Sequence, residues 1–278
     1  MVTYVTKADE SKQLFNREKV VQTCLRLGAD HNTALLIVGQ LERRLYDGIP
    51  TREILQLIFS LMRKYKPAVK YLFDLRRGIS LMESKPEFEV FVRALLLNNG
   101  FDVQPNTILR GFCGLHEVDA LASKEGLTYF VEAKHHVNYH AFTGLDESRI
   151  ARAILEDVNE GYMRGVTNLK IDRAMIVTNT RYSEHAINYG QCRNILQIGW
   201  ASPEIGLRDM VEKNKLYPLS CLRGVSTDIR LKLVDVGIVL IKQLLDQDSH
   251  YIGRKTGLSK LEVSTLIEKA RLTTEMWY

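Results

Sequence analysis

Leu115-His116-Glu117-Val118-Asp119-Ala120-Leu121-Ala122 and Tyr129-Phe130-Val131-Glu132-Ala133-Lys134 are the two stretches on which the fold turns. Both are short, apolar and bounded by polar residues, which predicts two β-strands. The intervening Ser123-Lys124-Glu125-Gly126-Leu127-Thr128 has the composition of a hairpin loop. Upstream, Ser84-Lys85-Pro86-Glu87 reads as a capping box with proline in the first turn. It opens a helix, Phe88 to Leu97, that stops at Asn98-Asn99-Gly100. Downstream, a helix is expected over about 145–163, then the strand Arg173–Thr178, a helix at 183–191 and a strand from Ile195. The order α-β-β-β-α-β makes this part an α/β layered core with a mixed sheet flanked by helices.

The outer segments read differently. Residues 1–82 begin with the strand-like Thr3-Tyr4-Val5-Thr6, after which apolar stripes predict helices starting near Asn16, Asn32, Thr51 and Pro67. Residues 220–278 are again helical. The expectation is a multidomain α+β chain: a small, mainly helical domain at 1–82, the α/β core at 84–210 and a helical C-terminal domain at 220–278. No repeats or low-complexity tracts interrupt it.

Bulk properties narrow the function classes. The 278 residues are 45% hydrophobic and 26% charged, as in an ordinary soluble protein. No apolar run is long enough for a membrane span and the first residues lack a signal-peptide pattern, so a cytoplasmic protein with no membrane partner is expected. The four cysteines, Cys24, Cys113, Cys192 and Cys221, are widely spaced, which predicts buried thiols and not a disulfide framework. The formal net charge of +5 is unevenly spread: +6 over residues 1–82, −4 over 83–210 and +3 over 211–278. That pattern suits an acidic metal-binding middle between modules that bind polyanions.

The acidic middle carries the candidate chemistry. Side chains alternate along a strand, so Glu132 and Lys134 share a face. In a paired hairpin Asp119 can lie beside Glu132, and their carboxylates could share a hard divalent cation, Mg²⁺ or Mn²⁺. The main-chain carbonyl of Ala133 is a further candidate ligand. Such a cation would activate water and stabilise a pentavalent phosphate. Lys134 would orient that water or offset developing negative charge. Glu89, on the preceding helix, would bind metal or hold its water. His116, His135, His136 and His140, with Cys113, match no familiar zinc spacing. Phosphate contact or a place at the cleft edge is expected instead, with His135 the candidate for nucleic-acid contact.

Phe88-Glu89, Gly100-Phe101-Asp102-Val103, Glu117-Val118-Asp119, Phe130-Val131-Glu132-Ala133-Lys134 and the later Met175–Ala186 resemble the Mrr-like and archaeal resolvase-like branch of the PD-(D/E)XK nucleases, restriction endonuclease-like proteins. The resemblance covers roughly residues 84–200. It implies a Mg²⁺-dependent deoxyribonuclease in which Asp119 and Glu132 bind metal, Lys134 is catalytic and Glu89 is auxiliary. Mrr-like proteins often carry Gln where Glu132 stands.

The N-terminal segment resembles an ATP-cone, the nucleotide-sensing domain of ribonucleotide reductases, through Val5-Thr6-Lys7-Ala8-Asp9, Asn16-Arg17-Glu18-Lys19, Thr51-Arg52-Glu53-Ile54, Tyr71 and Arg76. That implies ATP or dATP bound by Val5, Lys7, Asn16, Lys19 and Thr51. Ala8 stands where the family usually has arginine and Glu10 where it usually has glycine. No P-loop pattern occurs, so the nucleotide is expected as an allosteric signal and not as fuel. The stretches Val234 to Leu245 and Ile252 to Ala270 are together similar to a helix-hairpin-helix repeat, which implies a helix N-terminus receiving a DNA backbone phosphate with help from Lys255 and Lys260. The expected whole is a DNA endonuclease regulated by ATP or dATP and working as a homodimer or higher homo-oligomer. The alternative is a non-catalytic nucleotide-sensing DNA-binding regulator.

Overall fold

The hairpin of strands Leu115–Lys124 and Leu127–Lys134 forms where the sequence predicts it, within a computed structural model that describes residues 3–275. The chain divides into two compact units, Met1–Phe73 with Leu222–Gly224 and Ser259–Tyr278, and Asp74–Cys221 with Val225–Leu258.

The first unit opens with β1 (Tyr4–Thr6) and β2 (Lys12–Leu14), an antiparallel ribbon. Glu10, in its turn, has φ +64°, the left-handed region that glycine enters without steric cost. The position where the resembled family favours glycine therefore demands that conformation here. Helices α1 (Arg17–Arg26) and α2 (His31–Glu42) follow. Each has its expected or a neighbouring side-chain cap: Asn16 accepts the Lys19 N–H at 3.0 Å and Asp30 the Thr33 N–H at 2.8 Å. β3 (Ile49–Pro50) pairs with β1 in parallel and leads directly into α3 (Thr51–Tyr65). The helix expected after Pro67 is instead a short 3-10 turn, Pro67–Tyr71. Val20, Val21, Ile37, Val38, Leu41, Ile58 and Met62 are buried along the apolar stripes.

The second unit begins with α4 (Leu75–Ser80), an irregular helical turn Ser84–Phe88 and α5 (Glu89–Leu97). The expected Ser84–Glu87 capping box does not form. Glu87 instead accepts the Glu83 N–H at 2.9 Å and is drawn into a buried ion pair with Arg230, 2.7 Å away. A charge partner buried at the same point outcompetes the local cap.

β4 (Asp102–Arg110), β5 (Leu115–Lys124) and β6 (Leu127–Lys134) form an antiparallel meander. After the short β7 (Phe142–Thr143), α6 (Leu145–Met163) crosses over to β8 (Arg173–Thr178), parallel to β6. β9 (Arg181–Tyr182) pairs with β7, and α7 (Glu184–Cys192) leads to β10 (Leu196–Ile198), parallel to β8. The five-stranded sheet runs β10-β8-β6-β5-β4, a mixed sheet as expected. Leu109, Phe130, Ala174 and Ile176 from its strands pack with Ala151, Leu155 and Val158 of α6 and Ala186 of α7 in one buried core. Burying an aliphatic side chain of this kind contributes about 1.5–3 kcal/mol.

Helices α8 (Leu207–Asn214), α9 (Thr227–Val234), α10 (Ile241–Asp246) and α11 (Ser249–Thr256) complete the second unit, and α12 (Lys260–Thr274) returns to the first. Residues 220–278 are thus shared between the units, where a separate C-terminal domain was expected. The ladder bridge Pro218↔Leu240 and the Arg230–Glu87 pair fasten α9 and α10 to the α/β core, whereas α12 packs on the Pro67–Tyr71 turn. Cys24 and Cys221 are buried free thiols as expected, but Cys113 and Cys192 are exposed. Among the described residues no helix is long and apolar enough to cross a membrane.

Candidate functional site

The β5–β6 ladder runs from Lys124↔Leu127 to Ala120↔Val131 and stops there. One step further along the same register sets Asp119 opposite Glu132, and residues directly opposite in an antiparallel pair project to one side of the sheet. In place of a further ladder bond, Asp119 Oδ2 accepts the Ala133 N–H at 2.7 Å. The strands part at this point, and the carboxylate itself bridges the fork. Lys134, two residues beyond Glu132, ends β6 on the same side. Its Nζ lies 3.0 Å from Glu147 Oε2, in the first turn of α6.

Glu89 enters from the start of α5 and is buried, with a relative exposure of 6%. Lys85 sets its ammonium 3.0 Å from Glu89 Oε1 and 3.8 Å from Asp119 Oδ1. The geometry is a charge contact without an aligned hydrogen bond, since the buried Glu89 Oε1 has no hydrogen-bond partner. Arg93 of α5 donates to the Asp119 main-chain carbonyl at 3.2 Å, fixing the strand behind the carboxylate.

The electrostatics follow from this crowding. Burial, then the charge of Asp119, push the Glu132 carboxyl up to about 7, against the smaller pull of Lys134 and Lys85. Burial also raises Glu89, with Lys85 opposing and Asp119 reinforcing the shift. Lys85 is held above the usual lysine range, chiefly by Glu89.

Asp119 and Glu132 together could hold one divalent cation, and the unsatisfied Glu89 oxygen and the mutual repulsion of the acids are what such a charge would relieve. Among the described residues no group of three or more His, Cys, Asp or Glu side chains is gathered as a cage for a metal ion. The donor set is one that suits Mg²⁺, which binds through one or two carboxylates and keeps several waters.

Metal-free stability should report the buried charge. The folded Glu132 carboxyl titrates near 7 and an unfolded one near 4.5, so the folded state binds the extra proton between those values. Stability is then greatest below about pH 4.5 and falls as pH rises toward about 7. Glu132→Gln should remove that fall. In thermal unfolding with EDTA, it should be more stable than wild type at pH 8, by on the order of 2 kcal/mol, and little different at pH 5. Equal stability at both pH values would contradict the assignment of charge.

The other expected residues are placed as follows. His135 is turned inward: its Nε2 lies 3.0 Å from the Ile79 carbonyl, its Nδ1 is 3.4 Å from Ser84 Oγ, and its ring is 5.1 Å from that of Phe88. Both ring nitrogens face protein, so the expected outward contact with DNA gives way to packing. His116 is bound to Asp157 at 2.7 Å and His136 to Thr143 at 3.2 Å, far from a common ligand set. Val5 is a core residue at 6% exposure, which closes its side chain to a ligand. Lys7, Lys19 and Thr51 are exposed, and Asn16 Oδ1 is engaged in capping α1. Lys255 lies in α11 of the second unit and Lys260 at the start of α12 of the first. The α12 N-terminus, expected to receive a phosphate, is already served by Glu262, whose Oε2 takes the Ser259 N–H at 2.8 Å and the Ser259 hydroxyl at 2.7 Å.

Sequence reasoning missed Lys85, Arg93 and Glu147. Lys85 stands four residues before Glu89, a helical spacing that could have paired them. Glu147 gave no signal, because only the crossover brings α6 to the end of β6.

No protein-family model matches the chain. An uncharacterized protein from Archaeoglobus fulgidus (strain ATCC 49558 / DSM 4304 / JCM 9628 / NBRC 100126 / VC-16) is 32% identical over 178 residues, which are 64% of this chain and 96% of that protein. The chain belongs to the family of that protein. Among solved structures, the crystal structure of the protein of unknown function AF1548 is similar, with a TM-score of 0.58 and 31% identity over 66% of this chain and 94% of that one. The family match spans nearly the whole relative and leaves about a third of the present chain beyond it.

Proposed function

We propose that the second unit is a metal-dependent DNA endonuclease that hydrolyses phosphodiester bonds. One observation carries the reading: the register of β5 and β6 sets Asp119 and Glu132 on one side of the sheet where the strands part, with Lys134 on the same side and Lys85 linking Asp119 to Glu89. Placing carboxylates in apolar strands is costly unless they are used. Asp119, Glu132 and the Ala133 carbonyl would hold Mg²⁺ or Mn²⁺, which when bound supplies Lewis-acid charge against the developing phosphorane. Lys134, steadied by Glu147, donates toward the attacking water or the non-bridging oxygens. Glu89, whose Oε1 meets the Lys85 ammonium at 3.0 Å, would hold that water once Lys85 swings away. The test is cleavage of supercoiled plasmid with Mg²⁺ or Mn²⁺, wild type beside Asp119→Ala, and equal nicking by both would sink the assignment.

The first unit supports the second part of the proposal, that ATP or dATP binds there and regulates cleavage. Lys7 and Lys19 are exposed near the β1–β2 ribbon and the start of α1, and neither forms a salt bridge among the described residues. In the same cleavage assay, ATP or dATP should change the wild-type rate and leave Lys7→Ala/Lys19→Ala unaffected. A nucleotide response that survives in the double variant would count against that site.

A second reading, a non-catalytic DNA-binding regulator, is favoured by the Lys85 ammonium lying between Glu89 and Asp119, where a cation would otherwise be wanted. It predicts DNA binding with no cleavage in any divalent metal. Lys85 is 72% exposed and is free to swing out, which leaves the nuclease the stronger reading.

A further inference from the structure

Past Lys134 the chain passes through residues 135–141 and enters β7, which pairs with β9 so that Phe142 stands opposite Arg181. His135 ties the start of this loop to Ile79 of α4, and α4 also carries Arg76. Arg76 and Arg181 are thus brought to one place by the elements that frame the end of β6.

Arg76 is held by aromatic rings. Its Nη2 donates to the Tyr139 carbonyl at 2.7 Å, and its Cζ lies 5.3 Å from the Tyr139 ring and 5.4 Å from the Trp200 ring. Its Nε is buried and has no hydrogen-bond acceptor. Arg181 is exposed, with its Cζ 5.2 Å from the Phe142 ring. Neither guanidinium forms a salt bridge among the described residues. The neighbouring carboxylate, Asp74, is occupied as the cap of α4, accepting the Arg77 N–H at 3.1 Å. Burial, and after it the charge of Arg181, disfavour the protonated form of Arg76.

Two guanidiniums near each other, with one donor unmet and neither in an ion pair among the described residues, are arranged for an oxyanion. A guanidinium fork matches phosphate oxygens in geometry and charge, and ring stacking fixes its plane without using up its donors. We propose that Arg76 and Arg181 form a phosphate site that seats a backbone phosphodiester of the DNA strand, outside the position cut near Lys134. The proposal rests on the nuclease reading for its choice of ligand. Contacts of this kind set the register of the strand and carry no sequence preference.

The test is DNA binding by fluorescence anisotropy, on a labelled duplex in Ca²⁺ and in an Asp119→Ala background, so that no cleavage interferes. Arg181→Ala, at an exposed position, should weaken binding about tenfold and lower the salt-dependence slope by about one. Arg76→Lys, which keeps the charge and loses the fork, should weaken it as well. Arg149→Ala, which removes the same charge from the exposed face of α6, should bind as the background does. Equal affinity and slope in Arg181→Ala and Arg149→Ala would overturn the proposal.

A second arm distinguishes the source of the phosphate. Trp200 emission, followed in a Trp277→Phe background, should respond to the duplex. A response to inorganic phosphate or ATP with none to the duplex would overturn the strand assignment. The outcome separates from that of the nuclease reading. Arg181-dependent binding by a protein that never cleaves would remove the nuclease and keep this site. Cleavage with Arg181-independent binding would do the reverse.

Discussion

Lys134→Ala and Asp119→Ala are each expected to lower Mg²⁺-dependent cleavage by roughly 100- to 1,000-fold or more, while failing for different reasons. On the proposed nuclease reading, Lys134 contributes a positive charge at the end of β6, where negative charge would build on the phosphate. Its removal takes away stabilisation specific to the transition state and leaves the acidic pair intact. Asp119 does two jobs: it lies on the same side of the sheet as Glu132, and its Oδ2 holds the Ala133 amide at the fork between β5 and β6. Losing it would remove a proposed metal ligand and unpin the strand that carries Glu132 and Lys134. Calorimetric titration with Mn²⁺ should therefore show near-normal binding in Lys134→Ala and greatly weakened binding in Asp119→Ala. Normal cleavage in either variant, or normal metal binding in both, would exclude the proposed division of labour.

The largest expected effect on stability comes from Arg230→Ala. Arg230 is 5% exposed and Glu87 1% exposed, and the guanidinium meets Glu87 Oε1 at 2.7 Å, the Leu81 carbonyl at 2.7 Å and the Val225 carbonyl at 3.3 Å. Truncating it leaves a buried carboxylate without its counter-charge, which costs about 3–5 kcal/mol. That is a large share of the roughly 5–15 kcal/mol by which a domain is stable. Urea unfolding should show it as a fall in midpoint with little change in slope. Because Glu87 lies two residues before Glu89 and two after Lys85, the damage should reach the acidic site as well. Glu87→Gln/Arg230→Met, which removes both charges, should recover part of the loss. A double variant less stable than Arg230→Ala would refute the account.

These residues also show what the sequence could and could not disclose. The hairpin, the shared side of Glu132 and Lys134, and the position of Asp119 were legible because they depend on strand alternation and a short loop. The partners of those residues were not. Glu147 reaches Lys134 only through the crossover of α6, and Glu87 was read as a local cap because its true partner lies 143 positions away. The same pair explains the division of the C-terminal segment. A buried charge in α9 must be matched in the α/β core, so α9 belongs there and not to a separate helical domain. His135 misled in the opposite way: its place beside the acidic motif suggested contact with a ligand, and its ring instead fills the space between Ile79 and Phe88.

The return of α12 to the first unit has a consequence for synthesis and for gene architecture. A ribosome making this chain releases Met1–Phe73 early, but that portion lacks its last structural member until the segment from Ser259 onward has been made. Val263, Leu266 and Ala270 of α12 are buried in the finished protein, so a fragment ending before them leaves their complementary surface bare. The N-terminal part therefore cannot be transplanted as a front-end cassette by simple recombination: a graft that carries it must also bring its distant final helix.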